Sequence, residues 1–278
     1  MRPALFALFF GATCIALSPI FVRLSEAGPT ATAFWRVALA VPVLWMFFRA
    51  PLRGPKLLFL AAGAAFAGDL AFWHTSIQLT SVANSTLLAN LASIFVTLAA
   101  WVLWRERPRP LFLAALALAL LGVGLLVHTS LSFSRNALLG DALGVVTAMF
   151  YAWYILAVKG LRDRGETTLR LMAVTSTLTA LILFPVALAS GEQMLPHTPY
   201  GWIVLVGLAL ISHAAGQGLI AYALAHLPAT FSSVGLLLQP VIAAFFAWVL
   251  LGEPLVTLQI LGGAVVLAGI YLARRGSS

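Results

Sequence analysis

The chain contains one unit twice. Residues 232–253 read SSVGLLLQPVIAAFFAWVLLGE, and residues 85–106 read STLLANLASIFVTLAAWVLWRE. Trp101-Val102-Leu103 corresponds to Trp248-Val249-Leu250, and Glu106 to Glu253, at a constant offset of 147 residues (248 − 101 and 253 − 106). The register continues into the next segment, where Gly122 pairs with Gly269 and Leu125 with Leu272. Leu and Ala matches mean little in apolar sequence. A Trp-Val-Leu-x-x-Glu match at the end of an apolar run, followed in register by a glycine, marks an internal repeat.

The repeated unit is built for lipid. Of 278 residues, 62% are hydrophobic and only 9% charged, against roughly 25% charge in a soluble chain. A spanning helix needs about 20 apolar residues. Ten segments qualify, near 3–24, 30–49, 57–78, 82–104, 110–127, 139–158, 168–189, 200–223, 230–251 and 256–273. Gly28-Pro29, Gly54-Pro55, Pro108, Pro196, Pro228 and Pro254 punctuate the breaks with turn chemistry. The first segment has the look of a signal peptide, but it runs on apolar through Phe21 and Val22 and the repeat needs a first helix, so it is read as a retained span. No loop is long enough for a second domain. The single cysteine, Cys14, excludes an internal disulfide, and no Cys/His cluster has metal-ligand spacing.

The net charge of +8 is a topology signal here, not a nucleic-acid footprint, so nucleic acid is not expected as a partner. Lys and Arg fall in alternate loops. One face takes 13 of the 16 basic residues and the other takes Arg23 and Arg135, while Arg36 lies inside a span. Basic residues favour the cytoplasmic side, so both termini are expected there. Five spans per unit is an odd number, so the second copy enters the membrane from the opposite side. The expected fold is an all-α integral membrane protein: ten transmembrane helices as two inverted five-helix repeats, 1–131 and 138–275, related by a pseudo-twofold axis in the membrane plane. Secondary transporters use this architecture and place their substrate site where the repeats meet.

The sequence resembles the drug/metabolite transporter superfamily and, within it, the ten-helix EamA-type exporters. The resemblance is carried by the Pro240-Val-Ile-Ala-Ala run, the Leu251-Gly252-Glu253 helix end, Gly262 and Gly269, Glu106 and Gly122 in the first half, and Phe34-Trp35-Arg36 at the entry to the second span. It covers essentially the whole chain. More narrowly the chain looks like the YddG-type exporters of aromatic and other amino acids. The resemblance implies a multi-pass protein of the bacterial inner membrane that exports small metabolites, amino acids among them, by alternating access through a central cavity, with no cofactor. Its partners are then a small-molecule substrate and the lipid bilayer, and a monomer is the expected state. The small multidrug members of the superfamily carry a glutamate in the first helix. This chain has no acid between Met1 and Arg23, which argues against their proton–drug antiport.

Polar groups inside a membrane are costly and mark pathways or partners. Asp69 is the acid that lies clearly within a span, with His74 five residues on. At an offset of 148 these correspond to Gln217 and Tyr222, and His213 precedes Gln217 by four residues. A lined central passage would take Asp69, Trp73, His74, His213, Gln217 and Tyr222. The alternative is hydrogen bonding between buried helices, for Asp69 an ion pair with Arg36. His74 also fits the extracytoplasmic helix end, where a histidine is cheap. Asn90 and Gln239 stud the fourth and ninth spans, though span hydroxyls and amides often bond their own helix. Tyr151 and Tyr154 offer aromatic faces in mid-span, suited to a neutral or zwitterionic solute with an apolar side chain. Pro19, Pro42, Pro185 and Pro240 each remove a backbone hydrogen bond and are candidate hinges, although spans also simply tolerate proline. Glu106 and Glu253 are read as structural anchors of the repeat.

A nucleotide-sugar or sugar-phosphate carrier of the same fold would want several basic residues in the cavity, and Arg36 stands alone within a span. An intramembrane enzyme would need a set such as H-E-x-x-H, G-x-S-x-G or paired aspartates, and none is present. The chain is therefore not read as an enzyme. The absence of a G-x-x-x-x-G-K loop excludes ATP as the direct energy source. With one acid in mid-span, facilitated movement is favoured over proton coupling.

Overall fold

The computed structural model describes residues 2–46, 55–80, 82–105, 107–127, 135–251 and 256–276. Glu106 and Glu253 lie outside the described residues. Among those described there are helices and no strands, and the helices fall one to one on the ten apolar segments. We number them α1 (Arg2–Leu24), α2 (Pro29–Ala38 and Ala40–Met46), α3 (Lys56–Leu79), α4 (Val82–Ala89 and Ala92–Trp104), α5 (Pro110–Val127), α6 (Arg135–Asp163), α7 (Thr168–Ala189), α8 (Pro199–Ala223), α9 (Ala229–Gly235 and Leu238–Leu251) and α10 (Thr257–Gly276). Seven of them are long and apolar enough to cross a bilayer unaided, and α4 and α5 supply shorter apolar stretches.

The outer surface is greasy. Phe6, Met46, Leu57, Val102 and Ile203 are between 68% and 79% exposed, an arrangement no water-facing surface sustains over such an area. The interior packs Ala, Leu, Ile and Phe and also holds Ser, Thr, His, Arg36 and Asp69. Hydroxyls there bond backbone carbonyls of neighbouring helices: Ser212 Oγ donates to Cys14 O at 3.0 Å, Ser93 Oγ to Ser233 O at 2.8 Å, and Thr179 Oγ1 to Gly63 O at 3.0 Å. Without a hydrophobic drive between helices in lipid, such bonds and close backbone packing hold the bundle.

The main helix pairings recur when each helix is exchanged for its partner five positions away. α3 lies along α6 as α8 lies along α1, α4 meets α6 as α9 meets α1, and α2–α7 and α5–α10 pair with their own counterparts. The α5–α10 crossing shows this at atomic detail. A Cβ added at Gly122 would lie 2.6 Å from Val266 N, and one added at Gly269 would lie 2.7 Å from Ala119 N. Residues 119 and 266 are themselves 147 apart, so one contact is the image of the other.

Four helices are interrupted mid-span, at Leu17, at Leu39, at Asn90-Leu91 and at Leu236-Leu237. Three interruptions lie two to four residues before Pro19, Pro42 and Pro240, where the proline ring displaces the carbonyl four residues back. In α4 the break has no proline; Asn90 donates to the Thr86 carbonyl both from its backbone N–H at 3.1 Å and from Nδ2 at 2.7 Å. Pro185 differs, because α7 runs through it as one helix. α8 is wound as a π-helix over Leu208–Gln217. A π-turn closes at i+5 and so takes in one residue more than an α-turn, which is the size of the change in repeat offset from 147 to 148.

At one end of the bundle the two halves are tied together. Glu26, after α1, accepts from His197 N at 2.8 Å, Thr198 N at 2.9 Å and Thr198 Oγ1 at 2.5 Å. Glu192, after α7, accepts in turn from Thr30 N at 2.8 Å and Thr30 Oγ1 at 3.1 Å. Each carboxylate thus caps the start of a helix in the other half, α8 and α2 respectively, where free N–H groups and the helix dipole favour an anion. Gly28 N donates to Gln193 O at 2.9 Å and Trp35 Nε1 to Met194 O at 2.7 Å. Gly28 and Gly201 have no room for a side chain, since a Cβ would sit 2.5 Å from Glu192 Cβ and 2.6 Å from Glu26 Oε2.

Candidate functional site

A cavity of about 70 Å³ lies among α1, α2, α3, α4, α6, α8 and α9, drawing on both halves. Roughly 10–15 Å³ by this measure admits one water, so it holds several, or the polar end of a small solute. The interruptions of α1, α4 and α9 flank it: Ser18 and Pro19 follow the break in α1, Asn90 forms the break in α4, and Gln239 follows the break in α9. Breaking a helix turns side chains of its flanks toward the interior and leaves carbonyls without helical partners, which is tolerated in a membrane only around a cavity or packed protein.

α3 forms one wall. Phe66, Asp69, Leu70 and Trp73 follow the i, i+3, i+4, i+7 spacing of a single helix face, and the last three line the cavity. Arg36 reaches the same space from the last turn of the first α2 segment, where the carbonyl end of a helix favours a cation. Its guanidinium lies 5.9 Å from the centre of the Phe66 ring. That ring is fully buried and stacks on Tyr154 at 4.6 Å and His213 at 5.4 Å.

Arg36 is 3% exposed and Asp69 8%, yet no ion pair joins them. Among the described residues the side-chain salt bridges are elsewhere, Lys159 to Asp163 and Arg170 to Glu166 near the α6–α7 turn. Of the two readings of Asp69, the direct ion pair is not closed here: Arg36 and Asp69 both line the cavity within electrostatic reach of each other, with the guanidinium 5.9 Å from the Phe66 ring centre. Five lining groups, Ser18 Oγ, Arg36 Nε, Tyr151 Oη, Gln217 Oε1 and Gln239 Nε2, are buried with no hydrogen-bond partner in the protein. The Tyr151 hydroxyl comes close to Gln217 and Gln239 without reaching hydrogen-bonding geometry with either. Each such group costs on the order of 1–3 kcal/mol if nothing answers it, and five around one hollow are the signature of a site meant for something polar.

Of the residues singled out in the sequence, Asp69, Trp73, Asn90, Tyr151, Gln217, Gln239 and Arg36 come together here, with Pro19 beside them. Four do not. His74 is fully buried, its Nδ1 donating to the Pro29 carbonyl at 3.0 Å; it ties α3 to α2. His213 turns to α7, where Nε2 meets Ser176 Oγ at 2.7 Å. Tyr154 is buried against Phe66. Tyr222 is 38% exposed and lies against His226 on the outside. Ser18 and Thr86 line the cavity without having been singled out. The sequence signal for Ser18 was its place directly before Pro19 in mid-span.

The model of the EamA-like transporter family matches residues 2–128 and again 138–275. An uncharacterised transporter of Archaeoglobus fulgidus is 31% identical over 266 residues, 91% of each chain. The threonine/homoserine exporter RhtA of Escherichia coli K12 is 30% identical over 252 residues, 87% of this chain and 80% of its own. A probable amino-acid metabolite efflux pump of Salmonella typhimurium is 27% identical over 237 residues, 82% and 79%. A solved crystal structure superposes with a TM-score of 0.82 at 17% identity, over 99% of this chain and 98% of its own.

Proposed function

The chain belongs to the EamA-like transporter family, and from that premise we propose that it exports amino acids by opening the central cavity to each side of the membrane in turn. It is a multi-pass membrane transporter and not an enzyme. The observation that carries the finer reading is the set of five buried, unanswered polar groups around a hollow built from both halves. A solute that supplies their missing hydrogen bonds gains what the empty site forgoes. Relatives named for threonine, homoserine and amino-acid export support the solute class. The two halves, 1–131 and 138–275, would be related by a half-turn about an axis in the membrane plane, and the exchange-symmetric packing supports that relation. We place the Glu26–Glu192 ties on the extracytoplasmic side, and both termini in the cytoplasm of a bacterial cell, from the distribution of basic residues. With the ties closed, the structure corresponds to a state shut on that side. The mid-span breaks at Pro19, Pro42 and Pro240 would serve as hinges, and Pro185, inside an unbroken helix, would not.

The test is exchange in proteoliposomes. Vesicles preloaded with unlabelled threonine, homoserine or phenylalanine should accumulate the labelled amino acid from outside without ATP, and a pH gradient should leave the initial rate unchanged. No exchange for any amino acid across a broad panel would overturn the reading.

A further inference from the structure

Two opposite formal charges, Arg36 and Asp69, line the cavity. Lys159, Asp163, Arg170 and Glu166 pair with each other, and Glu26 and Glu192 cap helices. Arg36 and Asp69 are more deeply buried than most of these and lie on adjacent helices, near enough to attract one another, but no direct hydrogen bond or salt bridge closes between them. Leaving two opposite charges in lipid unpaired is expensive. An ordinary structural bridge would have closed on itself, because the arginine side chain is long and the carboxylate lies one turn along α3 from the ring that carries it. The guanidinium instead lies 5.9 Å from the centre of the Phe66 ring, which stacks on Tyr154 and His213.

We infer that Arg36 and Asp69 are the two halves of a zwitterion site: Arg36 receives the α-carboxylate of a free amino acid, and Asp69 its α-ammonium. This deepens the export reading and rests on it. A free amino acid carries its two charges on adjacent groups, so one molecule answers both side chains at once and leaves the cavity electrically neutral. Guanidinium offers a fork matched to a carboxylate, and a carboxylate accepts from an ammonium. Tyr151, Gln217 and Gln239 then meet the remaining polar atoms, while Trp73 and Leu70 face the side chain. A dianionic sugar phosphate would meet Asp69 as a like charge, and an organic cation would meet Arg36 in the same way. Both are disfavoured.

The experiment reads discrimination instead of absolute rate, so a weakly expressed variant still reports. Exchange of labelled threonine is competed by threonine, by its methyl ester, which lacks the carboxylate charge, and by N-acetylthreonine, which lacks the ammonium. In the wild type each derivative should compete at least about tenfold less well than threonine, the loss of one charge-assisted bond. Arg36→Gln should collapse the gap for the ester and keep it for the N-acetyl compound. Asp69→Asn should do the reverse. Arg36→Lys, which keeps the charge without the fork, should fall between. Wild-type exchange with both gaps unchanged in the variants would overturn the site and leave export standing. If the wild type exchanges no amino acid, the export reading fails. The site is then judged by thermal unfolding of the detergent-solubilised full chain: a rise with threonine but with neither derivative upholds it, and no rise with threonine or phenylalanine overturns it.

Discussion

Tyr151 and His213 show how much one residue's setting decides. Both are polar, mid-span and buried, but the Tyr151 hydroxyl has no protein partner and His213 has Ser176. Tyr151→Phe should therefore raise the unfolding midpoint of the empty protein by removing an unanswered hydroxyl, and weaken apparent substrate affinity about two- to tenfold, the worth of one hydrogen bond. Ser176→Ala should do the opposite. It strands an imidazole nitrogen at a cost of about 1–3 kcal/mol of stability, read as a lower midpoint with the exchange half-saturation unaltered. The same contrast marks what was legible beforehand. That Asp69, Tyr151, Gln217 and Gln239 were costly in lipid, and so needed a reason, was written in residue type and depth. Which way each one points was not. His213 and Gln217 sit four apart and share a face of α8, yet His213 meets Ser176 on α7 while Gln217 lines the cavity, and spacing alone does not say which neighbour each one meets. Ser18 shows the limit from the other side: a lone hydroxyl in an apolar helix is usually bonded to its own backbone, so nothing but the neighbouring proline set it apart.

Helices and their crossings were the more readable level. All ten segments were visible as apolar runs between turn residues, because a bilayer demands length and greasiness of each one separately. The breaks within α1, α2 and α9 follow from their prolines, whereas the break in α4, at Asn90-Leu91, gave no comparable cue. Glycine spacing was informative only where backbones touch. Gly122 abuts Val266 N, and Gly124, two residues on, has nothing within 4 Å of an added Cβ. Gly122→Leu must push α10 aside against backbone, with an expected loss of about 3 kcal/mol or more in stability, since the displaced atoms cannot rotate away. Gly124→Ala should be neutral or slightly stabilising through its better helix propensity. Thermal unfolding followed by gel filtration in detergent separates the two.

On the proposed reading the bundle is two halves around one hollow, tied at one end by the Glu26 and Glu192 carboxylates. Thr198 first, through its hydroxyl and then its N–H, and His197 after it, hold the Glu26 carboxyl below the usual carboxylate range. A depressed value means the tie is fully present above the ordinary glutamate pKa of about 4.3 and is lost as pH falls through the lower value. Protection of the 197 and 198 amides against hydrogen exchange, relative to their intrinsic rates, should therefore fall as pH drops below the ordinary glutamate value of about 4.3. Glu26→Gln should exchange quickly already at neutral pH and show no such step. If opening that end is part of the cycle, tying it shut must stop transport. In a Cys14→Ser background, Glu26→Cys with Thr198→Cys, bridged by a short bis-methanethiosulfonate, should lose exchange and regain it on reduction. That the hollow between the halves is the route taken can be asked of one atom in it. In the same background, Ala89→Cys puts a thiol on the cavity wall, and membrane-impermeant methanethiosulfonate is added to either side of sealed vesicles. The expected result is labelling from each side, slowed by threonine, and lost from the outer side when the Glu26–Thr198 bridge is closed. A thiol that reacts from neither side while the vesicles still exchange amino acids would contradict the account.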